Sequence, residues 1–244
     1  MKTKIFFAAF LFFAGITNAQ WFWQNPYPQG NKLISVYFVN PTSGWAVGNG
    51  GTIMKNSDGY HWNYQNSGTN NNLLSVHFVD ENFGWAVGYS GTVVKTTNGG
   101  NTWTAQHSGT IDNLTSVRFA DANNGCIAGW YGRILKTTDG GSTWTEQTTG
   151  TSEYLESIYC LDIEHCWAVG GFGTILKSTN GGENWSIKPS PTGDNLRSVC
   201  FVDTMNGWLL GHPVQLLKPL TVEITGHLKP AIIMIDFFLW ILST

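Results

Sequence analysis

Residues 84–103 read GWAVGYSGTVVKTTNGGNTW, and related stretches recur along most of the chain. The Trp of the Gly-Trp-Ala-Val-Gly block lies at positions 45, 85, 167 and 208, and Cys126 takes its place in the third copy. An upstream block, Leu-x-Ser-Val/Ile, begins at positions 33, 73, 114, 155 and 196. Both blocks recur at intervals of 40, 41, 41 and 41 residues. A fixed period of this length indicates a repeat architecture.

Each repeat contains four short runs rich in Val, Ile, Phe, Trp and Thr, separated by Gly, Asn and Asp. In the second repeat these runs lie near 73–79, 85–88, 91–96 and 102–106. They predict four antiparallel strands joined by tight turns. Four strands in about 40–45 residues are typical of one β-propeller blade. The sequence therefore predicts an all-β fold, a β-propeller built from four-stranded blades of about 41 residues.

The predicted propeller domain covers 20–218 and contains four complete blades and one partial blade. Residues 21–25, Trp-Phe-Trp-Gln-Asn, resemble a fourth strand. Such a strand would complete the fifth blade and close a five-bladed ring, which would remove exposed sheet edges. The apolar tail at 219–244 resembles no repeat, so a truncated seven-bladed ring is the alternative. The repeats are 33–66, 73–107, 114–148, 155–188 and the partial 196–218.

Composition excludes several classes of protein. The chain has 244 residues, 13 basic residues and a net charge of −3, which argues against a nucleic-acid-binding surface. Its 42% hydrophobic content is too high for an intrinsically disordered chain.

The first residues read as an export signal. Lys2 and Lys4 precede an apolar run at 5–16 that ends in Thr-Asn-Ala, which predicts a signal peptide over 1–19, cleaved after Ala19. We therefore expect a secreted or periplasmic protein. Neither this run nor the apolar 231–242 reaches the roughly 20 residues of a membrane-spanning helix, so no stable span is expected.

The segment 96–103, Thr-Thr-Asn-Gly-Gly-Asn-Thr-Trp, recurs at 137–144 and 178–185, and one residue shorter at 56–62. It resembles the Asp-box, Ser/Thr-x-Asp/Asn-x-Gly-x-x-Trp, of bacterial-neuraminidase-type (BNR) repeats in sialidases, sortilin-type receptors and several glycosidases. The resemblance implies a hairpin turn whose Asn or Asp binds backbone amides, whose Gly accepts positive φ and whose Trp packs into the blade. We assign this structural role to Asp58, Asn98, Gly100, Trp103, Asp139, Gly141, Trp144, Asn180, Gly182 and Trp185.

The whole repeat, over about 21–218, resembles the photosystem II stability/assembly factor family. The resemblance implies an exported, non-catalytic propeller that serves as a protein-interaction or assembly scaffold. Photosynthetic members are seven-bladed and are implied to hold a precursor protein with a basic patch that includes arginines. This chain has three arginines, Arg118, Arg133 and Arg197. The alternative function is a glycan-binding or sialidase-like glycosidase propeller.

Catalytic residues are not predicted. A sialidase needs three arginines that grip the substrate carboxylate, and the Phe/Tyr-Arg-Ile-Pro motif of that family is missing here. Acidic residues recur where the first strand turns into the second, and there an Asp caps its own turn. We therefore expect neither an enzyme nor a cofactor. The recurring acids are Asp80, Asp121, Asp162 and Asp203.

The cysteines predict a disulfide rather than a metal site. Cys160 and Cys166 lie on either side of the first hairpin turn of the fourth repeat, within disulfide reach, and export makes oxidation plausible. Cys126 and Cys200 are predicted to be free and buried. A structural metal site would need four ligands.

The predicted binding surface is formed by the loops between the second and third strands. Variable aromatic residues on a constant glycine frame are typical of a recognition surface for a protein or a sugar. The aromatic candidates are Tyr89, Trp130, Tyr131 and Phe172, with Arg118 and Arg133 as charged anchors. A purely structural alternative is that Trp130 and Tyr131 only cover the mouth of the channel.

Overall fold

The computed structural model describes residues 30–212 and 215–217. The predicted signal peptide at 1–19, the closing strand at 21–25 and the tail at 219–244 lie outside these residues. From Asn31 onward the described residues belong to one compact unit. This unit is β-structure with three one-turn 3-10 segments in its loops, so the all-β prediction is confirmed.

Five antiparallel sheets follow one another along the described chain, four with four strands and the last with three. Strands pair in sequence order within every sheet, which is the up-and-down order of a propeller blade. The strands of blade 1 are Leu33–Asn40, Ser43–Gly48, Ile53–Asn56 and Trp62–Gln65; of blade 2, Leu73–Phe78, Gly84–Gly88, Val93–Thr96 and Thr104–Gln106; of blade 3, Leu114–Phe119, Gly125–Gly129, Ile134–Thr137 and Thr145–Gln147; of blade 4, Leu155–Cys160, Cys166–Gly170, Ile175–Ser178 and Ser186–Ile187; and of blade 5, Asn195–Phe201, Gly207–His212 and Gln215–Leu217.

The Leu-x-Ser block ties each blade to the next. In every first hairpin the register shifts between the Leu and the Ser, which forms a β-bulge. The Ser hydroxyl then accepts a hydrogen bond from a backbone N–H in the first strand of the following blade. The four pairs are Ser35 with Val76, Ser75 with Val117, Ser116 with Ile158 and Ser157 with Val199, at 3.1–3.4 Å.

Aromatic stacking fills three of the junctions between blades. Trp45 lies parallel to Phe78 of the next blade, with ring centroids 3.6 Å apart. Equivalent stacks join blade 2 to blade 3 and blade 4 to blade 5, at 3.5 and 3.8 Å. Such pairs contribute about 0.5–1.5 kcal/mol beyond the burial of their area. The recurring tryptophans are therefore used to wedge blades together.

Sulfur replaces the aromatic stack between blades 3 and 4. Cys126 stands where other blades have Trp, and Cys160 stands where they have Phe. Cys160 and Cys166 form a disulfide with an S–S distance of 2.06 Å. Cys126 is free and buried, whereas Cys200 is free but only half-buried, contrary to the prediction. Cys200 is only half-buried because its side chain lies beside Tyr159 and Arg118 of the other first strands and not in a junction between blades.

One face of blade 1 is open in the described part of the chain. Leu33, Val36 and Phe38 are 45%, 58% and 44% exposed. The equivalent residues of the other four blades are all buried, because the preceding blade covers them. The described residues of blade 5 leave this face uncovered.

Residues from the first strands of all five blades line one cavity of about 370 Å³, together with Leu210 of the second strand of blade 5. This arrangement places the loops between second and third strands around one end of the cavity and the first hairpin turns around the other. Among the described residues, no helix is long and apolar enough to cross a membrane.

Candidate functional site

The loops between second and third strands share a strained backbone position. Their middle residue is left-handed in four blades, with φ of 63° at Gly50, 54° at Ser90, 59° at Tyr131 and 50° at Phe172. Glycine adopts this conformation freely, whereas a bulky side chain pays about 1–2 kcal/mol. The Tyr131 and Phe172 side chains are 66% and 72% exposed, so burial does not offset that cost. Strain without a packing gain marks these positions as candidates for function.

A capping asparagine supports most of these loops. The N–H of the left-handed residue donates to an Asn side chain in the linker that enters the next blade. Tyr154 takes the place of this Asn beside the Tyr131 loop. The sequence-based prediction missed Tyr154, although the break in the repeat pattern at that position was a usable signal. The capping residues are Asn72, Asn113 and Asn195, at 2.9–3.1 Å.

An aromatic pocket forms beside the Tyr131 loop, where Tyr154 replaces the capping asparagine. A cavity of about 450 Å³ is lined by Trp130, Tyr131, Ser152, Glu153, Tyr154 and Glu156. The Trp130 and Tyr131 rings stand at right angles, with an interplanar angle of 88° and centroids 6.4 Å apart. The Tyr154 ring lies against the next loop, where a Cβ on Gly171 would come within 2.7 Å of it. We call this cavity the aromatic pocket.

Not all of the predicted aromatic residues lie in this pocket. Tyr89 and Phe172 occupy the equivalent loops of the neighbouring blades and are not among its lining residues. Both are exposed. Trp130 and Tyr131 are therefore the predicted members that the structure brings together.

Arg133, which the sequence predicted as a charged anchor, is paired with two carboxylates in the structure. Its guanidinium bonds the Asp112 carboxylate through Nε and Nη2, at 3.1 and 2.8 Å, and the Glu146 carboxylate through Nη1, at 2.6 Å. Two carboxylates thus neutralise this cation. Arg133 fixes the loop that carries Trp130 and Tyr131 by bridging the preceding linker and the fourth strand of its own blade.

Arg118 also departs from the prediction, because it lies away from the loop aromatics. It is four residues beyond Leu114, which pairs with Gly129 at the loop end of the hairpin. That distance is about 13 Å along a strand. The Arg118 guanidinium instead lies over the rings of Tyr37 and Tyr159, at 5.8 and 4.6 Å from their centroids.

Arg118 belongs to a group of five side chains, one from the equivalent position of each first strand. His77 lies 4.6 Å from Tyr37, centroid to centroid, and the Cys200 and Tyr159 side chains are hydrogen-bonded. Burial, aided by the charge of Arg118, holds the pKa of His77 well below its usual range. Phe119 donates its N–H to His77 Nδ1 at 3.3 Å, so the neutral ring serves as an acceptor. We call these residues the axial cluster: Tyr37, His77, Arg118, Tyr159 and Cys200.

Two carboxylates line the aromatic pocket. Burial raises the pKa of Glu156, and the charge of Arg197 opposes that shift. Arg197 Nη1 lies 3.5 Å from Glu156 Oε1, a loose ion pair. Within the described residues, Glu153 is half-buried and has no ion pair. The pocket therefore combines aromatic faces with one carboxylate, Glu153, that has no ion pair among the described residues.

The recurring acids of the first hairpin turns bind their own backbone. Asp80 accepts the N–H groups of Asn82 and Phe83, at 2.7 and 2.8 Å. The same two bonds occur at Asp121, Asp162 and Asp203. These carboxylates are turn caps, as the sequence predicts.

The Asp-box residues hold the second hairpin turn. Asp139 accepts the Thr143 N–H at 2.9 Å and its hydroxyl at 2.6 Å. Chiefly because of the hydroxyl bond, the pKa of Asp139 is lowered to about 2. Gly141 is left-handed at φ 88° and donates its N–H to the Thr137 hydroxyl. Asn98 and Asn180 likewise accept the backbone N–H four residues on, whereas Asn98 Nδ2 donates to the Thr102 hydroxyl. In the shortened copy, Asp58 accepts the N–H groups two and three residues on.

Cys126, Cys160 and Cys166 bring three sulfur atoms within 4.8 Å of one another. Two of these sulfurs are bonded to each other in a disulfide, and the three side chains pack between blades 3 and 4. The junction lies in an apolar cluster between blades 3 and 4.

Comparison with solved structures supports the fold. The WD40 propeller domain of Doa1 aligns with a TM-score of 0.60 at 14% identity, over 79% of this chain and 67% of that one. A GH74 enzyme from Niastella koreensis aligns with a TM-score of 0.60 at 17% identity, over 72% of this chain and 33% of that enzyme. At such identities these matches establish the propeller fold alone.

Two further comparisons concern YCF48. The structure of YCF48 bound to D1 peptide is 16% identical, with a TM-score of 0.45, over 80% of this chain and 95% of that one. YCF48 from Cyanidioschyzon merolae is 20% identical, with a TM-score of 0.37, over 79% of this chain and 96% of that one. No curated protein matches the chain.

The comparison with protein families is more specific, because it matches the repeat sequence itself. The family described as photosynthesis system II assembly factor YCF48 matches residues 60–150 and 147–220, well over half of the 244 residues. This confirms the resemblance found in the repeat sequence. The protein therefore belongs to the photosynthesis system II assembly factor YCF48 family of BNR-type propellers.

Proposed function

We propose that this protein is a non-catalytic scaffold that binds a partner protein through the aromatic pocket. The observation that carries the proposal is Tyr131, a bulky residue held at positive φ and 66% exposed, in a loop where glycine would be free of strain. Its neighbour Trp130 is also exposed. Exposed aromatic anchors at a pocket are the usual energetic centres of protein recognition.

A second cavity favours an extended partner segment. It measures about 380 Å³, shares Tyr131 and Ser152 with the aromatic pocket, and is otherwise lined by Gly132 and by residues 146–151, which are polar apart from Gly150. An aromatic pocket that continues into a polar groove suits a peptide that buries one side chain and hydrogen-bonds its backbone. Family membership, in assembly factors, supports the same reading.

We also propose that the protein works outside the cytoplasm. The charged and apolar sequence at 1–19 supports this, as does a disulfide, which persists in oxidising compartments.

Capture of the partner tests the scaffold function. Wild-type protein and the Tyr131→Gly variant are immobilised and exposed to extracytoplasmic protein from the source cells. Tyr60→Ser is the matched control, since Tyr60 is equally exposed, at 66%, but lies in the Asp-box turn of blade 1. We expect Tyr131→Gly to lose the captured protein and Tyr60→Ser to keep it. Capture that survives Tyr131→Gly and Trp130→Ala would refute the proposal.

Stability supplies the folding control for the same variant. Glycine relieves the left-handed strain at position 131, so we expect the unfolding free energy of Tyr131→Gly to stay within about 1 kcal/mol of wild type. A loss of capture at unchanged stability then reports on binding and not on folding.

Glycoside hydrolysis is the second candidate, and it rests on two carboxylates in one pocket. Glycosidases use such pairs, and Glu153 and Glu156 both line the aromatic pocket. Release of sugar from sialosides or β-glucans, abolished by Glu156→Gln, would replace the scaffold proposal with an enzymatic one.

A further inference from the structure

We infer that the aromatic pocket recognises a cationic side chain, a lysine or arginine, of the bound segment. This inference rests on the proposed function and adds the chemistry of the partner. A positive charge is attracted to the faces of Trp and Tyr rings within about 6 Å, most strongly where water is partly excluded. The Trp130 and Tyr131 rings, at right angles to each other, form two walls of such a site.

The acidic lining of the pocket also favours a cationic ligand. Its lining contains Glu153 and Glu156 and neither lysine nor arginine. One of these carboxylates, Glu156, faces Arg197 across a long separation of 3.5 Å. Glu153 has no ion pair within the described chain. Half-buried carboxylates of this kind are stabilised when a ligand supplies the missing positive charge.

The loop framework makes the pocket a rigid one. Arg133 ties the Trp130 loop to two neighbouring elements through three hydrogen bonds. On the other side, the Tyr154 carbonyl accepts the Gly171 N–H at 2.9 Å. Walls that are fixed before binding lose little entropy when a ligand enters.

A sugar is the less favoured occupant. A sugar ring commonly stacks on one flat aromatic face and exchanges hydrogen bonds with amide and cationic donors. Trp130 and Tyr131 present crossed faces, at 88°, and the pocket lining contains no Asn, Gln, Lys or Arg side chain. Crossed rings with carboxylates enclose a compact cation better than a flat ring.

The test compares two probes that differ only in the terminal ammonium group, Nα-acetyl-lysine methylamide and its norleucine analogue. Binding is followed by the Trp130 indole N–H resonance of ¹⁵N-labelled full-length protein, assigned with Trp130→Phe. We expect the lysine probe to bind at least about fivefold more tightly than the norleucine probe. Glu153→Gln should remove most of that preference.

Glu164→Gln is the matched control, because Glu164 is exposed in the first hairpin turn of blade 4 and the substitution changes the net charge equally. It should leave the preference intact. The other indole resonances report whether each variant is folded.

The outcomes separate the inference from the proposed function. Equal binding of both probes, or a shift produced only by a neutral oligosaccharide, would overturn the cation assignment. In the first case partner capture through Tyr131 would still stand. An absence of response to both probes would also overturn the assignment. A preference that Glu164→Gln removes as fully as Glu153→Gln would reduce it to a general effect of net charge and overturn it as well.

Discussion

At the scale of single residues, His77 gives the structure a pH dependence. The folded protein keeps this ring neutral, with a pKa well below 6.5, because it is buried and faces Arg118. As the pH falls below about 6.5, the unfolded chain binds a proton that the folded chain rejects. The unfolding free energy should therefore decrease, with a slope of up to about 1.4 kcal/mol per pH unit from this group.

His77→Gln should remove that slope, because an amide oxygen can accept the Phe119 N–H but does not titrate. Urea unfolding at pH 7.5 and 5.5 measures the difference. The exposed His107 provides the control substitution, His107→Gln. Parallel pH profiles for wild type and His77→Gln would contradict the buried neutral histidine.

Candidate site residues could be predicted from the sequence, but the residues that they contact could not. Trp130 and Tyr131 were found because they vary on a constant glycine frame, and they do line one pocket. Arg133 was assigned a binding role by its type, yet two carboxylates from separate elements neutralise it. Ion pairs between distant parts of the chain leave no local pattern in a sequence.

At the scale of secondary structure, the disulfide should stabilise the first hairpin of blade 4. Cys160 and Cys166 are six residues apart, and closing so short a loop in the unfolded chain contributes about 2 kcal/mol. We expect Cys166→Ser to lower the unfolding free energy by about that amount in urea. Cys200→Ser is the control, since Cys200 is free and lies outside the junction. A Cys166→Ser protein as stable as the control would show that the cross-link is dispensable.

Strand positions were largely predictable, because the turns that bound each strand have recognisable Gly, Asn and Asp residues. In blade 2, the run predicted at 85–88 matches the strand Gly84–Gly88. The run predicted at 91–96 begins later, at Val93, because Gly91 is left-handed at φ 65° and belongs to the loop. The role of the Leu-x-Ser block was not predictable, since its hydroxyl acts on the next blade and not on its own.

At the scale of the whole molecule, ring closure was left open by the sequence for a physical reason. Repeats report the junctions between consecutive blades, and the four such junctions are well described here. The junction between the last blade and the first has no counterpart in the repeat. The exposure of this face of blade 1 could therefore be found only from the three-dimensional structure.

A matched pair of substitutions measures whether that face is covered in solution. Phe78 is buried and stacked on Trp45 of the preceding blade, so Phe78→Ala should cost about 3–5 kcal/mol. Phe38 is 44% exposed and its ring contact is edge-on to Trp62 of its own blade, at 5.7 Å. Phe38→Ala should therefore cost about 1 kcal/mol or less, since much of its surface is already in water. Equal costs in urea unfolding would instead mean that the Phe38 side chain is covered in solution, as a closed five-bladed ring requires.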